Sequence, residues 1–210
     1  MSSRRAFIAS GAAIAALPAA AAAPAAAGPQ AAVYDFAAIN GRFARPAKHR
    51  QVMAVNRVAD GSIVGYLKHS MDAYEVAMGE GPGVMHVAAV FYGLGVVLGL
   101  GDAMWRSYRL VENLKRRGDT LSSPTAGVHP FASDFAGLVA RGASFFVCDN
   151  ALADWATFLV TSGGFNDRTI EGVRADLRGH LIAGALLVPA GVAALNSAQE
   201  ARFTFFQATL

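Results

Sequence analysis

Position 148 holds the single cysteine of this 210-residue chain, and it is the residue whose type and setting point most directly to chemistry. With no second cysteine an internal disulfide is excluded. A lone thiol is a nucleophile, a carrier of sulfur, an intermolecular staple or a small buried apolar residue. Cys148 follows an apolar aromatic run, Ala143-Ser144-Phe145-Phe146-Val147, and precedes Asp149-Asn150 and a helical pattern. That is a strand-to-helix junction, where open sheets build their sites and where free amide N–H groups favour a thiolate. Asp149 opposes this unless its carboxylate caps the helix, a role open to Asp149 or Asn150. Arg141 and His129 are the two cations that could help the thiol, if their elements converge on it.

Other chemistries find less support. The five histidines share no HExxH, HxxxH or CxxC spacing, so no metal site is expected. His86 lies within an apolar run and reads as a hydrogen-bonded core residue. Gly93-Leu94-Gly95 and Gly99-Leu100-Gly101 lack the third glycine of a dinucleotide fingerprint and the Lys-Ser/Thr of a phosphate loop. No nucleophile elbow is present, and no cofactor is expected.

The elements that must position Cys148 are legible from periodicity. Strands are predicted at 51–57, 84–92, 143–147, 185–188 and 203–207. Between them lie helices at 62–78, with Leu67, Met71, Tyr74 and Met78 on one face, and at 102–117, capped by Asp102. Further helices fall at 131–140, with Phe131, Phe135 and Leu138 inward, and after Cys148, with Leu152, Trp155, Ala156 and Leu159 inward. Two more are centred on Ile170–Leu181 and Val192–Ala201. A polar segment, Asp119 to Val128, reads as the most flexible loop. Strands alternating with helices predict one α/β domain with a mostly parallel sheet of about five strands flanked by helices.

Three blocks around this framework resemble the DsrE/DsrF-like sulfur-relay family. They are Val84–Leu98, Leu138–Leu152 with its L-x-x-R-G-x-x-F-x-V-C ending in Cys148, and Leu187–Gln199 with V-P-x-G-V-x-x-L-x-x-x-Q. The likeness runs from about Gln51 to Gln207. It implies a flavodoxin-like layered fold, a homo-oligomer or hetero-oligomer, and a Cys148 that receives sulfane sulfur as a persulfide and passes it on, at most a sulfurtransferase-type activity. Sulfur donor and acceptor proteins are the partners it implies. Arg202 departs from the pattern, standing where a helix-ending glycine belongs.

Composition sets the remaining bounds. The chain is 54% hydrophobic and 16% charged, with a mean hydropathy of +0.35, which excludes wholesale disorder. Ser3-Arg4-Arg5-Ala6-Phe7-Ile8-Ala9, a weakly apolar stretch and Ala25-Ala26-Ala27 read as a twin-arginine leader over 1–27. Residues 28–48 then form a spacer and short helix, and 49–210 the α/β domain. The leader implies a periplasmic protein with no membrane segment after its removal. It also takes most of the basic excess with it, leaving a net charge near +1 and no expected nucleic-acid partner. Two further readings stand beside sulfur relay: an oligomeric binding or assembly protein of the same fold with a buried Cys148, and a metal-binding accessory protein.

Overall fold

The computed structural model describes residues 33–119, 121–122 and 127–208. The segment read as a leader, 1–27, lies outside them, as do residues 120 and 123–126 of the polar loop. Five strands form one all-parallel sheet: β1 (His49–Val55), β2 (Met85–Phe91), β3 (Ser144–Cys148), β4 (Ala185–Val188) and β5 (Thr204–Gln207), in the order β4-β3-β2-β1-β5. Every residue of β2 and β3 is buried, which is why both read as continuous apolar runs rather than alternating ones.

The connections explain the layers. The chain steps from β1 to β4 in one direction across the sheet, and right-handed crossovers then place α2 (Ser62–Asp72), α5 (Ala132–Ala140), α6 (Asp149–Thr161) and α7 (Ile170–Gly179) on one face. The step from β4 back to β5 reverses direction, so α8 (Gly191–Glu200) lies on the other face. There its Ala194, Leu195 and Ala198 pack with Ile39 and Phe43 of α1 (Phe36–Ala44). α6 is held as its spacing predicts: Leu152, Trp155, Ala156 and Leu159 are all buried, the larger ones each contributing about 1.5–3 kcal/mol.

Three expectations need correction. The helix after residue 62 passes into a π turn at Ala73–Ala77, whose extra residue per turn rotates Met78 off the buried face, and Met78 is exposed. The helix expected over 102–117 is two, α3 (Asp102–Ser107) and α4 (Leu110–Arg116), broken at Arg109 with φ 44°. Asp102 does not cap it: the cap is Gly101, and Asp102 instead accepts the His129 N–H at 2.8 Å. Asp119 lies in the loop as read, but it is buried there and accepts the Val58 N–H at 2.7 Å. Arg202 adopts the left-handed conformation (φ 65°) that a glycine would hold more cheaply, and ends α8 there.

Candidate functional site

In an open parallel sheet the crevice for a ligand opens between adjacent strands whose following helices go to opposite faces. Here those strands are β3 and β4, followed by α6 on one face and α8 on the other. Cys148 ends β3, directly across from Val188 at the end of β4. The two exits are tied together by the Asn150 N–H, which donates to the Pro189 carbonyl at 3.3 Å. Gly191 opens α8 close by, where a Cβ would stand 2.9 Å from the Tyr92 Cβ and 3.3 Å from the Cys148 Cβ, so only glycine lets α8 begin this near the thiol. Cys148 is 5% exposed. It is the N-cap residue of α6, and its side chain makes no capping bond.

Neither Asp149 nor Asn150 caps α6. Asp149 points away into a cluster of its own, fully buried (0% exposed), and accepts five hydrogen bonds from three residues. The Tyr34 hydroxyl donates at 2.6 Å, Arg174 at 2.8 and 3.4 Å, and Arg178 through Nε at 2.6 Å and through a second nitrogen. Burial alone would raise the Asp149 carboxyl, but the bonds from Arg178, Tyr34 and Arg174 outweigh it and hold the group below its ordinary value. Burial and the bond to Asp149 raise the Tyr34 hydroxyl in turn. Two guanidiniums against one carboxylate leave an excess of one positive charge at Asp149.

Sequence reasoning placed Cys148 but missed Tyr34, Arg174 and Arg178. The Arg174/Arg178 spacing does mark one helical face, yet which residue that face meets depends on how α7 packs against α6. The two cations it did weigh lie elsewhere. Arg141 stands at the opposite end of β3 and pairs with Asp72 at 2.7 Å and Glu75 at 3.0 Å. His129 is buried beneath Trp105, donating from Nε2 to the Leu98 carbonyl at 2.9 Å and accepting the Phe131 N–H on Nδ1 at 3.0 Å. Burial lowers its imidazole, which is neutral with both nitrogens satisfied. His129 lines a cavity of about 220 Å³ with Asp102, Phe135 and Leu181, and Cys148 is not part of its lining. His86 is a core residue as read, with Nε2 2.9 Å from Ser144 Oγ. Among the described residues no three His, Cys, Asp or Glu side chains gather as metal ligands, and no helix is long and apolar enough to cross a membrane.

Comparison with known proteins adds little to this geometry. No family model matches the chain, and no curated protein matches it. A solved structure of a protein of unknown function from Methanobacterium thermoautotrophicum aligns with 76% of this chain and 98% of its own, at 15% identity and a TM-score of 0.45. The architecture therefore stands on the chain's own sheet: a five-stranded parallel α/β fold with its cysteine at the switch between β3 and β4.

Proposed function

We propose that this is an exported sulfur-relay protein of the DsrE/DsrF-like kind, in which Cys148 carries sulfane sulfur as a persulfide. The observation behind the proposal is the position of Cys148, at the carboxyl end of β3 where the helices diverge. The likeness of 138–152 to the family's cysteine segment and the excess positive charge at Asp149 support it. In the proposed step the Cys148 thiolate attacks a sulfur of a polysulfide chain. A new S–S bond forms on Cys148, the donor's S–S bond breaks, and its electron pair leaves with the shortened polysulfide. Export follows from the twin-arginine pattern of the leader, and fractionation with amino-terminal sequencing of the secreted form tests it.

A second reading rests on burial. At 5% exposure Cys148 is nearly closed to solvent, as in an oligomeric binding or assembly protein whose cysteine only packs. The two readings part in one experiment: intact mass of the native protein after exposure to polysulfide, beside a Cys148→Ser control. Sulfur-sized additions on the native chain, absent from the control, are expected. A thiol that stays unmodified until the protein is unfolded excludes the carrier role and leaves the binding protein.

A further inference from the structure

The amino-terminal end of the sheet carries a second charged cluster, on the face covered by α1 and α8. Arg42 lies in the last turn of α1, Arg45 is its C-cap residue and Arg50 belongs to β1, and all three are half-buried. The charges of all three act on His86. The His86 ring packs edge-on against Phe203 at 5.1 Å, and the Arg50 guanidinium lies over the same Phe203 ring at 5.9 Å. His86 Nε2 meets Ser144 Oγ at the start of β3. Two residues earlier the Arg45 guanidinium fills the space beside Gly142, where a Cβ would fall 2.8 Å from both its terminal nitrogens.

Among the described residues no counter-charge reaches this group. The Arg50 guanidinium donates to the Ala201 carbonyl at 2.9 Å, while among the described residues none of Arg42, Arg45 and Arg50 is ion-paired. The contrast with Arg117, Arg141, Arg174 and Arg178, each of which meets a carboxylate, is complete. His86 is 0% exposed, and its Nδ1 has no hydrogen-bond partner among the described residues. Burial, and then the field of Arg42, lowers the Arg45 guanidinium. Burial first, and then Arg45, Arg50 and Arg42, push the His86 imidazole down to about 4. Half-buried guanidiniums held together without an acid are poorly solvated and repel one another, and a multivalent anion relieves both costs.

We infer that Arg42, Arg45 and Arg50, gathered over His86 at the amino end of the sheet, form a binding site for a tetrahedral oxyanion, free or as the phosphate end of an organic ester. Arginine forks match such a group through paired N–H donors. The site is at the end of the sheet away from Cys148, so it holds whether or not the thiol carries sulfur.

Calorimetric titration of the purified chain at low ionic strength, with inorganic phosphate and with glycerol 3-phosphate, tests it against matched additions of chloride. Saturable heat is expected for phosphate and not for chloride. Arg45→Gln should weaken the affinity roughly tenfold or more, the loss of one charge-assisted pair. Arg117→Gln, which removes a paired arginine elsewhere, should leave it unchanged. Arg42→Gln serves as the second variant should Arg45→Gln fold poorly, which its unpaired state argues against. Saturation by the ester alone assigns the site to organic phosphates, and saturation by both assigns it to the tetrahedral group itself. Heats that track ionic strength alike for phosphate and chloride, or an affinity that neither arginine variant alters, overturn the inference.

Discussion

The two ends of the sheet treat charge in opposite ways. At the carboxyl end Asp149 is wholly buried, and Tyr34, Arg174 and Arg178 surround it with donors. At the amino end Arg42, Arg45 and Arg50 gather around a buried neutral histidine with no acid among them. A buried charge is tolerated where its partners meet it closely, and breaking such a set leaves the remaining charges stranded. A cluster of like charges costs stability on its own and persists where something else is gained. The carboxyl end is therefore self-contained, while the amino end is built for an outside partner.

The largest break in this comparison is Asp149→Ala. It leaves two guanidiniums and a tyrosine hydroxyl without their acceptor, and a loss of about 3 kcal/mol is expected from urea unfolding. The arginine side chains are about a quarter exposed (28% and 24%) and turn partly to water, which keeps the figure at the low end of the usual range. A loss below about 1 kcal/mol would mean the cluster is not what steadies this end.

Acid should separate the two ends by pH. His86 is neutral in the fold, with its imidazole pushed down from 6.5 to about 4, so below 6.5 the unfolded chain binds a proton that the folded chain does not. Stability from this residue is full above 6.5 and falls as pH drops toward 4, by about 3 kcal/mol in all. Asp149 has the same sign in a lower window, since its carboxyl is held below the ordinary 3.8 and its contribution fades only as pH falls through that lower value. Unfolding free energies between pH 7 and 4 should slope steeply in the native chain and much less in His86→Gln. His129, also lowered by burial, leaves a residual slope in both. An unchanged slope in the variant would remove His86 from the account.

How much of this was legible beforehand follows physical lines. Strands β2 and β3 and the buried face of α6 were readable because a strand buried on both faces, or a helix with one wet face, imposes its period directly on the residues. The position of Cys148 followed from the same pattern. Its partners did not, because Tyr34, Arg174 and Arg178 reach Asp149 across 115, 25 and 29 residues, and nothing local records that packing. The partners of Asp102 and Asp119 were missed for a related reason. Each looks like a local cap or loop acid, and each spends its carboxylate on a distant backbone N–H. The π turn that exposes Met78 leaves no mark in a 3.6-residue period.

Smaller effects sharpen the contrast. Tyr34→Phe removes one donor from Asp149 and leaves both arginines, so a loss of about 1 kcal/mol is expected. That is well short of Asp149→Ala, and unfolding of the two variants side by side checks the ranking. The smallest effect is the most telling because its sign differs between the ends. Arg178→Gln deletes a bond to a buried carboxylate and must destabilise. Arg42→Gln deletes one of three crowded like charges and, in buffer free of phosphate and sulfate, should stabilise by a few tenths of a kcal/mol. Salt decides the cause: the Arg42→Gln gain should shrink as chloride screens the cluster, because half-exposed charges feel the ionic atmosphere. The Arg178→Gln loss, taken from a carboxylate with no exposure, should persist. A stabilising Arg178→Gln, or a destabilising Arg42→Gln at low salt, would mean that the two ends do not handle charge differently after all.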